Sequence, residues 1–222
     1  MDAPVHLRKV RSMAEQLTQI LRTDASANRD RILEVAREVF AAEGLGVSMR
    51  EVARRAEVGP ATLYRRFPTK KDLILEAFLD EFRICRDIVR TGCANPDAWQ
   101  GFCSVIDHIS ELNAQNQGFT EAFIAEYPDA VDLESHRGET LRAFADLALR
   151  AKQQGELRQD FVVDDFVLIL MANRGLSTAP PEVRTRAARR FAAMMTDALH
   201  ASPANRTLPP PPSLARTAVF GR

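Results

Sequence analysis

The chain has 222 residues, 45% of them hydrophobic and 27% charged, which is enough apolar material for a buried core in one or two domains. No apolar run approaches the roughly 18 residues that a membrane-spanning helix needs. The basic patch Arg8, Lys9, Arg11 is not followed by a continuous apolar stretch, so no secretion signal is read and the expected compartment is the cytoplasm. The formal net charge of +0 argues against a non-specific architectural nucleic-acid binder, which relies on many cations.

That zero hides an uneven distribution. Residues 29–72 hold 10 Lys+Arg against 7 Asp+Glu, whereas residues 73–222 hold 16 against 20. A basic segment ahead of an acidic remainder points to nucleic acid at one end and another task at the other. The cysteines Cys85, Cys93 and Cys103 are odd in number and form no Cys-x-x-Cys. They suggest neither a disulfide framework nor a zinc site. The histidines His6, His108, His136 and His200 are scattered, with no pair at ligand spacing.

In chain order, residues 1–28 form an N-terminal extension. Leu7, Val10, Leu17 and Ile20 recur at helical steps. Either this stretch is a frayed extension, or even the product of an upstream start with Met13 as the true one, or it is an extra helix that packs on the domain after it or carries basic residues to a nucleic-acid backbone. From Arg29 a strong helix presents Ile32, Val35, Ala36, Val39 and Phe40 on one face and ends at Gly44 or Gly46. Ser48 then caps a short helix, with Glu51 at the capping-box position. Val52, Ala53 and Ala56 are its apolar stripe. Glu57-Val58-Gly59 breaks the pattern. Pro60 opens a second short helix, where its missing N–H costs nothing, and Pro68 ends it. Two helices joined by a turn of about three residues, the second short and basic, form the pattern of a helix-turn-helix DNA reader.

Thr69 and Asp72 cap a long helix that runs to about Arg90 and links the two halves. Further helices are expected over 98–115, 120–126, 133–154, 163–176 and 181–201. Pro209 to Pro212 mark an extended tail. No strand alternation is convincing. The fold class is therefore all-α: a three-helix helix-turn-helix domain over 29–72, a further helical domain over 73–202, to which the resemblance given below assigns ligand binding and dimerisation, and a Pro-rich tail over 203–222. There is no Gly-rich phosphate loop, no Gly-x-Ser-x-Gly and no His-Glu-x-x-His. The alternative of an all-helical enzyme thus has no motif behind it. No catalytic residue, metal ligand or cofactor is assigned.

The string Ile32-Leu33, Ala36, Val39-Phe40, then Val52-Ala53, Ala56, Val58, Thr62-Leu63-Tyr64, Phe67, Lys70 and Leu73 resembles the TetR family of bacterial transcriptional regulators. It covers about one fifth of the chain. The chain departs from the family pattern at Glu57, where glycine is common, and at Gly59, where serine is. It also departs at Ala61, often glycine, and at Arg66, often histidine. If Glu57 takes a positive φ, the strain is about 1 kcal/mol.

The helix start at Ser48 and Arg50 suits a DNA phosphate. The resemblance implies phosphate contacts for Tyr64 and Lys70. Pro60, Ala61, Thr62 and Arg65 form the reading face, Ala61 and Thr62 toward thymine methyls and Arg65 toward guanine. Arg66 suits either task, and Leu63 and Phe67 face inward. The partners implied are a double-stranded, palindromic DNA operator and a second copy of the chain, held through the helices near 163–176 and 181–201. A small apolar or amphipathic effector is also implied, bound among Trp99, Phe102, Ile106, Phe123, Phe144 and Met171. Its binding would change the spacing of the two DNA heads.

Overall fold

The computed structural model describes residues 27–127, 133–175 and 180–211. The helix expected in residues 1–28 and the end of the Pro-rich tail lie outside them. Helix α1 covers 27–43 and buries Ile32, Leu33, Ala36, Val39 and Phe40. It closes at Gly44, whose φ is 78°. Helices α2 (Met49–Arg55) and α3 (Pro60–Arg66) come next, then α4 (Lys70–Ala94) and α5 (Ala98–Glu126). The chain continues through α6 (Leu133–Gln153), α7 (Val163–Arg174) and α8 (Pro181–Leu199). An isolated bridge between Leu157 and His200 is the extended pairing found among the described residues. No helix there is long and apolar enough to cross a membrane.

Apolar side chains gather in two clusters. The first joins α1, α2 and α3 to Leu73, Ile74, Ala77 and Phe78 of α4 and to Phe119 and Phe123 of α5. The second centres on Phe102, Ile106, Phe144, Phe161 and Phe166, with Val89 from the far end of α4. Helices α4 and α5 therefore each run through both clusters and join them. They cross at Gly92 and Gly101, where a Cβ on Gly101 would collide with the Gly92 carbonyl oxygen. Only glycine permits that approach.

The two helices expected over 98–115 and 120–126 are instead a single helix, α5. Gly118 stands where the break was expected, but a Cβ there would lie 2.5 Å from the carbonyl oxygen of Ala41. The glycine marks a close approach to the end of α1, and tertiary packing carries the helix through it.

Candidate nucleic-acid interface

Ser48 caps α2 by accepting from the Glu51 N–H at 3.2 Å. The other half of the expected capping box is replaced. The Glu51 carboxylate takes hydrogen bonds from Arg54 at 2.9 and 2.6 Å and from Arg55 at 2.7 Å. Those bonds, Arg54's first, pull Glu51 down to about 2. Arg55 also pairs with Glu43 at 2.6 Å, which ties α2 to the end of α1. Two guanidiniums at i+3 and i+4 offer a carboxylate more than one backbone N–H does. The spacing was readable in the sequence, and the hub was missed.

The turn holds the strained residue expected there. Glu57 has φ 53°, and the chain re-enters helix at Gly59, an extended N-cap, with Pro60 at the first position. Leu63 and Phe67 are buried and anchor α3 on the first cluster. That anchoring leaves Pro60, Ala61, Tyr64, Arg65 and Arg66 exposed and Thr62 half-buried. Tyr64 is 45% exposed, more than a ring that serves mainly as core.

Phe67, in an extended conformation, ends the helix. A complete capping box then starts α4: Thr69 N–H donates to Asp72 at 3.0 Å and Asp72 N–H to the Thr69 hydroxyl at 3.1 Å. Lys70 opens α4 half-buried, and the Lys71 ammonium lies 5.7 Å from the centre of the Tyr127 ring at the end of α5. Ser48 and Arg50, at the start of α2, are exposed.

The head is also clamped electrostatically. Arg37 of α1 is buried and donates to Asp80 of α4 at 2.7 Å, and Arg83 holds the other Asp80 oxygen at 3.0 Å. Arg29 reaches Glu76 beside them. Periodicity placed Arg37 off the apolar face, and only the partner forty-three residues away explains its burial.

Six residues were expected around an effector. Trp99 stacks on Phe102 with centroids 5.6 Å apart, and Phe102 stacks on Phe144 at 5.2 Å. With Ile106 they belong to the second cluster. The other two lie elsewhere. Phe123 stacks on Phe78 at 3.7 Å in the first cluster. Met171 is 42% exposed on α7, because Phe166 and Ile169 take the inward side of that helix.

Residues 32–77 match the model of the bacterial regulatory proteins of the tetR family. A TetR transcription regulatory protein from Mycobacterium vanbaalenii, known from a crystal structure, is 31% identical with a TM-score of 0.62. The likeness covers 82% of this chain and 99% of that one. The chain belongs to the TetR family of transcriptional regulators. A TetR transcriptional regulator from Streptomyces coelicolor is 28% identical, with a TM-score of 0.65, over 78% of this chain and 99% of its own. A helix-turn-helix-type transcriptional regulator of Staphylococcus aureus USA300 is 37% identical over 75 residues, 30% of this chain and 40% of the relative. The chain thus matches under half the length of that curated relative. In this TetR-family regulator the unit common to the family model and the described structure is α1 to α3 with the start of α4.

Proposed function

We propose that this TetR-family regulator is a ligand-responsive repressor that acts in the cytoplasm and binds a palindromic operator as a homodimer. The observation that carries the reading is the outer face of α3. Its apolar side is locked into the first cluster while Ala61, Tyr64 and Arg65 stand exposed. A rigid short helix with an open basic face fits a major groove. In this reading Ser48, Arg50, Tyr64 and Lys70 hold phosphates, Pro60, Ala61, Thr62 and Arg65 meet base edges, and Arg66 serves either. Glu51 and Glu43 together offset the charges of Arg54 and Arg55, so those two act as scaffold.

Pairing of two copies is supported by α7 and α8. Leu168 and Met171 on α7 and Val183 and Met194 on α8 are large, apolar and between 38% and 57% exposed. Phe191 and Met195, on the same helix, instead pack on the second cluster. A second copy is the natural cover for such a face. In this reading the effector is held by side chains of the second cluster, Trp99, Phe102, Ile106 and Phe144 among them.

The test is selection of bound sequences from random double-stranded DNA, followed by footprinting on the region upstream of the gene. A two-fold symmetric site is expected, with half-sites about one helical turn apart. Recovery of no preferred sequence would remove the reading.

A further inference from the structure

Phosphate binding draws on cations that the protein has not already neutralised. Around the DNA head many arginines are engaged by carboxylates. Arg54 and Arg55 are held by Glu51, Arg37 and Arg83 by Asp80, and Arg29 by Glu76. Of the four residues assigned to phosphates above, Ser48, Arg50, Tyr64 and Lys70, two are cations.

Further cations stand upstream in the sequence. Residues 1–13 hold Arg8, Lys9 and Arg11 against one acid, Asp2. At helical spacing the three fall away from the apolar set Leu7, Val10 and Leu17. Residues 1–26 lie outside the described part of the structure, but the place where they join it is defined. Helix α1 starts at Ala27. Two residues on, Arg29 lines one cleft with Arg66, the last residue of α3, and with Asp72 in the first turn of α4. The upstream segment therefore joins the head at the edge that carries Arg66 and Lys70. The carboxylates of that cleft do not call for more cations: Asp72 accepts the Thr69 N–H and Glu76 takes Arg29. Sixteen residues separate Arg11 from Ala27. That length spans about 24 Å even if wholly helical, or about seven base pairs of duplex.

We propose that residues 1–26 are a second DNA-contacting segment, in which Arg8, Lys9 and Arg11 bind backbone phosphates beside the stretch that α3 reads. The inference rests on the operator-binding reading above and adds to it a contact outside the helix-turn-helix. Phosphate contacts hold a protein on the duplex and carry no base information. The segment therefore adds affinity that salt removes, and leaves base preference to α3.

The experiment keeps the full chain and compares three proteins. They are the unsubstituted chain, Arg8→Ala with Lys9→Ala and Arg11→Ala, and the charge-conserving set Arg8→Lys, Lys9→Arg and Arg11→Lys. Dissociation constants are measured from low to high salt on the selected duplex and on a scrambled one. The alanine set is expected to flatten the slope of log affinity against log salt by about 2.7 per bound copy, about 0.9 for each cation lost. The loss is equal on both duplexes. The selected sequence and the thermal midpoint are unchanged, and the charge-conserving set keeps the full slope.

An unchanged slope in the alanine set overturns the inference. So does a slope lost equally in the charge-conserving set, since charge would then not be what matters. Relaxed preference at a base position overturns it as well, because the segment would then read bases. A lower thermal midpoint with an unchanged slope would mean that the segment packs on the head instead. A chain that selects a sequence but keeps its slope loses the second contact and retains the regulator reading. A chain that selects no sequence loses the operator reading, and the slope on the scrambled duplex still decides the contact.

Discussion

At the scale of single residues, the interface divides into side chains that are held and side chains that are presented. Arg54 and Arg55 are held by Glu51, whereas Arg65 stands exposed on α3 and Lys70 opens α4. Substituting the two presented cations should give different outcomes. Lys70→Ala should weaken binding to all DNA sequences alike and lower the slope of log affinity against log salt by about one. Arg65→Ala should relax preference at one base position, at a cost of about 1–3 kcal/mol against the selected site. Titrations at several salt concentrations on selected and scrambled DNA separate the two. Equal losses of one kind from both substitutions would mean the roles are misassigned. The inward Leu63 and Phe67 were legible in the sequence from their spacing, whereas the positive φ of Glu57 was only a condition raised by the glycine common at that position in the family. The Glu51 hub was equally local but was read through a single rule, the capping box, when the arginines at i+3 and i+4 were the stronger claim. The burial of Arg37 was not legible at all: its partner Asp80 is set by how α1 packs on α4.

At the scale of elements, the glycines of the helices show where sequence reasoning goes astray. Two glycines inside helices look alike in sequence and should behave oppositely. A Cβ at Gly138, within α6, meets only the end of the Arg142 side chain at 3.9 Å. Gly138→Ala should therefore raise stability by about 0.5–1 kcal/mol through helix propensity alone. At Gly118 the same methyl meets the Ala41 backbone at 2.5 Å, and neither α1 nor α5 can yield cheaply. Gly118→Ala should lower stability despite its better propensity. Urea midpoints at constant slope check both signs, and a stabilising Gly118→Ala would mean α5 does not press on α1. The polar run Gln115 to Gln117 before this glycine made a break the natural reading. The aromatic contacts that keep α5 continuous, Phe119 to Phe40 and Phe123 to Phe78, join residues far apart in sequence, so periodicity could not supply them. The helix order and most helix limits, by contrast, come from caps and apolar stripes and were legible throughout.

At the scale of the whole molecule, the DNA head and the apolar face are coupled through affinity. One α3 presents a few side chains, and a site of that size binds too weakly to be found among competing DNA. Linking two heads turns the second contact into an intramolecular event, and overall binding then exceeds that of one head by about 10²–10⁴. In the proposed dimer the linkage falls to α7 and α8, whose outward residues Leu168 and Met194 are 40% and 57% exposed. Each can be changed without touching the second cluster, because Phe166, Ile169, Ala192 and Leu199 fill it from the inward side. Leu168→Asp with Met194→Asp places two carboxylates on that face. Two copies brought together would bury four uncompensated charges. Sedimentation of the doubly substituted chain should give the monomer mass of 24.8 kDa, with helical content and the first unfolding transition preserved. Affinity for the selected palindrome should fall by at least about 100-fold, while affinity for an isolated half-site stays within a factor of about two. The half-site comparison is the deciding one. If half-site and palindrome affinities fall together, the substitutions have damaged the head, and if neither falls, the two copies meet through another face.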